Sequence, residues 1–217
     1  MSGFWKDAAE FLPILLQGCV ITVWVTLGSL VISTALGLVW ALMRVMGGAV
    51  LSFSSKALVN TIRGIPIIVQ LFYIYFVLPD LGVALTALEA GIIGLGIAYS
   101  AYQAENFRAG IEAIDPGQVE AAESIGMTRA MLMRRVVLPQ AVRIVLPPYG
   151  NTMIMMLKDS SLASTITVAE LARQGQLIAS STFKNMTVFT LVALLYLAMS
   201  VPLTVFAGWL ERRYGSK

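Results

Sequence analysis

The chain is 217 residues long, 58% hydrophobic and only 12% charged, with a formal net charge of +3. A soluble domain carries about 25% charge, and one this small keeps much of its surface wet, so lipid must cover the outside. A single cysteine, Cys19, and the absence of histidine exclude an internal disulfide, a zinc site and a histidine-based catalytic triad, and the small scattered charge gives no reason to expect a nucleic-acid partner.

A spanning helix needs about 20 mostly apolar residues. The N-terminus does not read as a secretory signal, because Lys6, Asp7 and Glu10 precede an apolar run too long for a signal core. That run gives the first span, about 12–43. It exceeds one membrane thickness, so part of it is expected at the interface around Pro13, with Phe4 and Trp5 as aromatic anchors. A second span is predicted over about 57–78 and a third over about 90–107. In the third, Gly91, Gly94 and Gly96 allow close helix approach. The fourth, about 146–168, carries Lys158 and Asp159 inside it. The alternative there is a short helix that ends at Lys158, with its charges among headgroups. The fifth runs over about 186–210 and holds no charge. The predicted fold class is an all-α membrane protein of about five transmembrane helices, in a single domain over 1–217.

Five spans place the termini on opposite sides. Arg44, Lys56, Arg63, Arg108, Arg129, Arg134, Arg135, Arg143, Arg212, Arg213 and Lys217 fall on one side, against Lys6, Arg173 and Lys184 on the other. The positive-inside rule makes the first side cytoplasmic, with the N-terminus outside and the C-terminus inside.

The longest cytoplasmic stretch is then about 110–143. Asp115 is placed to cap a helix beginning at Pro116, with Val119, Ala122 and Ile125 on roughly one face and Gly126 as a left-handed stop. Thr128 is placed to cap a second helix, carrying Met131, Leu132 and Val136 and stopping before Pro139. By physics alone this pair of short helices serves equally as a docking element or as a basic amphipathic pair on anionic lipid.

Glu120-Ala121-Ala122, Gly126 and Leu138-Pro139 resemble the EAA loop of ABC importer permeases, with Val136 where isoleucine is usual. Further stretches resemble the polar amino-acid branch of that family. They are Arg63-Gly64-Ile65-Pro66 with Gln70, Ala101-Tyr102-Gln103-Ala104-Glu105, Asp115-Pro116-Gly117-Gln118, Asn151, Leu157-Lys158-Asp159-Ser160-Ser161-Leu162 and Ala169-Glu170-Leu171. The resemblance implies a type I importer fold in a prokaryotic cytoplasmic membrane. It implies that Glu120, Ala121, Ala122, Gly126, Leu138 and Pro139 form the coupling element that docks on an ATPase. It also implies two ATPase subunits, a second permease chain and an extracytoplasmic solute-binding protein as partners, beside membrane lipid. The chain has no P-loop, so no cofactor is expected in it, and ATP and magnesium would sit on the ATPase subunits.

The rival readings are a secondary transporter or channel for small polar solutes, with Glu105 and Asp159 as the few acidic candidates, and a membrane enzyme. No catalytic or metal-binding constellation is found. The polar groups in or near the spans are the candidate substrate path: Gln70, Tyr75, Tyr102, Gln103, Asn151, Lys158, Asp159 and Ser160. Moving either charge of a zwitterion out of water costs several kcal/mol unless a partner is supplied, so a path needs both an anionic and a cationic or N–H partner. Asp159 is the expected ammonium partner, with Lys158 as a charge balance or tether. Ser160 and Ser161 either add hydroxyl contacts or bond back to their own helix. Glu105 is expected to pair with Arg108 one turn away.

Overall fold

The computed structural model describes residues 2–214 and is helical throughout its regular elements. Lys217, counted above among the cytoplasmic charges, lies outside the described residues. Helix α1 (Ser2–Met46) runs unbroken through Pro13 and ends with Arg44 in its last turn. After Gly47 and Gly48 the chain turns into α2 (Ala49–Gly64) and then α3 (Ile67–Phe72), which continues through a π turn and a 3-10 turn to Leu81. Helix α4 (Ala87–Glu112) follows, then the short α5 (Pro116–Ser124) and α6 (Arg129–Leu132). Helix α7 (Leu138–Asp159) leads into a 3-10 segment, Ser160–Ile166, and α8 (Leu171–Thr182) and α9 (Asn185–Tyr214) complete the fold.

The expected straight second span is broken. Ala49–Gly64 and Ile67–Leu81 meet at 97°. Pro66 has no N–H and pushes the residue before it out of the helical region, so Ile65 sits at φ −103° and ψ 128°. At the break the Ile62 carbonyl keeps only a long bond from the Ile65 N–H, at 3.4 Å, and the Ile65 carbonyl has no helical partner. The Gln70 amide closes both, with Nε2 donating to the Ile62 and Ile65 oxygens at 2.8 Å each.

The fourth span also departs from expectation. Helix α7 stops at Asp159 instead of continuing to 168, and the chain proceeds as a 3-10 segment whose Ser160, Ala163, Ser164 and Ile166 are buried. The cause is local. The Ser160 and Ser161 hydroxyls donate back to the Leu157 and Lys158 carbonyls at 2.7 Å and compete with the helical ladder. Thr167, at φ +68°, then turns the chain toward α8, an element the sequence did not announce.

The second helix of the cytoplasmic pair does not stop before Pro139. It passes through a π turn, Met133–Val137, straight into α7. The wide turn accommodates the proline, whose missing N–H would break an ordinary ladder.

Close packing fixes the bundle. Helices α1 and α4 run side by side in the same direction. A side chain on Gly28 would strike Ile92, one on Gly96 would strike Ile32, and one on Gly37 would stand 2.7 Å from the Gln103 Cβ. Ser29 also donates to the Ile92 carbonyl at 3.0 Å. The four glycines of α4 face four different neighbours: Gly91 the 3-10 segment, Gly94 helix α3, Gly96 helix α1 and Gly110 helix α7. Helix α7 runs antiparallel to α4 and packs Gly150 against Ala207 of α9. One apolar core joins Val25, Leu71, Leu95, Met156 and Ile166, and a second joins Phe11, Leu15, Leu171 and Val188. Two helices, Gly3–Met46 and Asn185–Tyr214, are long and apolar enough to cross a membrane alone, and the bent pair makes a third.

Candidate substrate path and coupling surface

The cytoplasmic element is built from its caps. Asp115 accepts from the Gly117 N–H at 2.7 Å, with Pro116 at the first helical position of α5. At the other end the Met127 N–H donates to the Ala122 carbonyl at 3.1 Å and the Gly126 N–H to the Glu123 carbonyl at 2.9 Å. This is a Schellman closure, and Gly126 takes the left-handed conformation it requires, at φ +79°. Thr128 then caps α6. Val119 and Ala122 pack inward on Val45, Ile111, Ile114, Leu132, Val137 and Ala141. The Gln140 amide donates to Gln118 at 2.6 Å and ties α5 to the start of α7.

Ile125 does not share the face of Val119 and Ala122, and is 74% exposed. Each step of three residues falls about 60° short of a full helical turn, so the third position in the series reaches the outer side. The outer face of α5 therefore presents Glu120, Ala121 and Ile125: an acid, a small residue and an uncovered apolar side chain. Leu138 and Pro139 are also exposed, at the root of α7.

The second constellation lies on α4 and α7. The Tyr99 hydroxyl donates to Asp159 Oδ2 at 2.7 Å across the two helices. Tyr99 is buried, and Tyr102, one turn along, is 38% exposed, with ring centroids 5.7 Å apart. The Arg63 guanidinium lies 5.6 Å from the Tyr102 ring centroid, a cation over an aromatic face. A cation on α2, two tyrosines on α4 and a carboxylate on α7 thus follow one another. Sequence reading assigned Arg63 to the cytoplasmic count and passed over Tyr99. The signal available for Tyr99 was its spacing of three and four from Tyr102 and Gln103 on one helix.

The other path candidates separate. Asn151, Met155 and Lys158 form an exposed stripe along one face of α7, and Lys158 makes no ion pair among the described residues. Ser160 is buried and bonded to its own helix. Tyr75 reaches Thr167 at 3.5 Å. Gln70 is committed to the α2–α3 break. Gln103 is wholly buried within the chain, packed beside Gly37 of α1. Its Oε1 accepts from Asn106, which also donates to Thr152 at 3.0 Å. The Gln70 amide is thus engaged at the break, whereas the buried Gln103 Nε2 has no hydrogen-bond partner among the described residues.

Glu105 has a larger role than its expected pairing with Arg108. One oxygen meets Arg44 of α1 at 2.5 Å, the other Arg108 at 2.7 Å, and Arg108 goes on to Glu112. The network clamps the C-terminal ends of α1 and α4 together.

Residues 33–216 match the family described as binding-protein-dependent transport system inner membrane component. The chain belongs to this family. Among curated relatives, the permease is 42% identical to the probable amino-acid ABC transporter permease protein PatM of Vibrio harveyi, over 94% of this chain and 93% of the relative. It is 35% identical to the glutamine transport system permease protein GlnP of Escherichia coli K12, over 96% of each. A solved amino acid ABC transporter with histidines superimposes on the permease with a TM-score of 0.90, 38% identity and coverage of 96% and 97% of the two chains. The MetNI methionine ABC transporter in an inward-facing form shares the fold alone, at TM-score 0.82 and 22% identity. The chain is thus a membrane-embedded permease subunit of an ABC importer, and the secondary-transporter and channel readings are set aside.

Proposed function

We propose that the permease carries polar amino acids, with Asp159 as the ammonium partner and Arg63 as the carboxylate partner of the passing solute. The observation that carries this reading is the placement of those opposite charges on either side of the Tyr99–Tyr102 pair. A zwitterion leaving water needs both, and ionisable residues within a bundle face a cavity or one another. The names of the relatives, amino-acid and glutamine permeases, support the same solute class. The exposed stripe of Asn151, Met155 and Lys158 is the face on which a second permease chain would complete the path. The outer face of α5, with Glu120, Ala121, Ile125 and Gly126 behind it, is the docking element for an ATPase subunit. Two such subunits hold ATP and magnesium, since this chain has no P-loop. A binding protein delivers the solute from outside, and the membrane is the cytoplasmic membrane of a prokaryote.

Asp159→Asn keeps the shape and the Tyr99 hydrogen bond while removing the charge. Uptake of amino acids by the reconstituted complex should fall at least about tenfold, the loss expected when one partner of a desolvated charge goes. Complex assembly and basal ATP hydrolysis should persist. Unchanged uptake rate and apparent affinity across a panel of amino acids would remove Asp159 from the path.

A further inference from the structure

A cleft of about 270 Å³ opens between α1, α4 and α7, walled by Leu38, Phe107, Ile111, Val142, Val145 and neighbouring apolar side chains. Its two hydroxyls are spoken for. Thr34 and Tyr149 hydrogen-bond each other at 2.9 Å, and Thr34 also reaches the Leu30 carbonyl at 2.7 Å. The wall therefore offers nothing to a polar solute, which would lose its water without replacement. The flanking surface is also apolar, with Val31 and Val39 exposed on α1 and Ile144 on α7.

The cleft has a polar end. It closes toward the cytoplasmic loop at Leu138 and Ile111. Arg135 stands one turn before Leu138. It is exposed and makes no ion pair among the described residues. An apolar slot within the membrane, with an uncompensated guanidinium at its cytoplasmic mouth, matches one ligand chemistry. We infer that the cleft holds an acyl chain of an anionic phospholipid, whose phosphate is met by Arg135. Basic residues beside an apolar slot attract anionic headgroups, and lipid tails are present at high concentration around it. Because Leu138 belongs both to this wall and to the coupling element, the lipid braces the root of α7 where loop motion enters the bundle.

The test uses the whole transporter, purified in detergent and washed, with retained lipid measured by mass spectrometry. The wild type should retain phosphatidylglycerol in preference to phosphatidylcholine. Val142→Trp, which fills the slot from its exposed rim, should abolish retention of both. Arg135→Gln should lower phosphatidylglycerol retention about fivefold, since a basic residue near an anionic surface contributes a factor of about five. Yield of the assembled complex checks that each variant folds. Equal retention of the two lipids by the wild type, or unchanged retention in Val142→Trp, overturns the inference. So does efficient disulfide or photo-crosslinking from position 142 to a second permease chain, which would make the cleft a protein interface. The inference rests on the cytoplasmic placement of the 110–143 loop and not on the solute. Lipid retention is read without transport, so a failed Asp159 test leaves it standing.

Discussion

Glu170 is the residue on which the outer half of the chain converges. It is fully buried at the start of α8. Its carboxylate accepts from the Ala172 and Arg173 N–H groups at 2.9 and 2.7 Å, from Tyr196 of α9 at 2.7 Å and, more distantly, from Thr22 of α1. One side chain thereby caps α8 and binds it to both helices beside it. Glu170→Ala leaves the cap N–H groups and the Tyr196 hydroxyl unpaired away from water, each at about 1–3 kcal/mol. The expected outcome is a marked drop in the thermal unfolding temperature of the purified complex. Glu170→Gln, which retains the acceptor oxygen, should recover part of it. An unfolding temperature equal in all three proteins would show that α8 is held by its apolar contacts alone. The sequence displayed Glu170 only as one letter of a familiar pattern. Nothing in the local composition marks a carboxylate for burial, because its partners come from helices far away in the chain.

At the scale of the element, local chemistry was legible where partners are near in sequence. Asp115, Pro116, Gly126 and Thr128 fall where cap and turn rules place them, because each acts within four residues. Ile125 and the exits of α6 and α7 were not legible. They depend on how a helix ends and on a π turn, and side-chain patterns carry little of that. The same holds for the 97° break, where Pro66 signals a kink but not its angle. The coupling element yields a paired prediction. Gly126→Val forces a β-branched residue into the left-handed region, at a cost of about 1–3 kcal/mol, and should unravel the Schellman closure. Ile125→Ser removes an apolar contact from a side chain already exposed and should leave the fold intact. Both should weaken ATPase binding or uncouple hydrolysis from uptake, measured by co-purification and by transport per ATP. Parent-like behaviour in both variants would mean that α5 does not dock.

For the whole molecule, composition and charge placement declared a membrane protein, and the helices bear that out. The path residues were only partly readable, because facing depends on the mutual rotation of α1, α4 and α7. Gln103 and Asn151 are both polar letters in apolar helices, yet one is sealed against Gly37 and the other lies on the outer stripe. The orientation we propose, N-terminus outside and C-terminus inside, rests on the one-sided arginines and lysines. Membrane-impermeant thiol reagents check it. With Cys19 replaced, a cysteine at Ser181, exposed near the α8–α9 turn, should react from outside. One at Ser52, near the α1–α2 turn, should react only after the membrane is opened. Reaction of both from the same face would discard the five-span arrangement.

The unequal apolar character of the helices bears on how the chain is made. Helix α1 and the 30-residue α9 are each long and apolar enough to cross a bilayer alone, whereas α7 carries Pro147, Pro148, Lys158 and Asp159 and does not meet that standard alone. Yet α7 is embraced by α4 on one side and by α9 on the other, through Asn106–Thr152 and Gly150–Ala207. During synthesis, then, the helix that bears Asp159 emerges before the partner against which its Gly150 packs. Its own place in the bilayer becomes secure only when the ribosome has delivered α9.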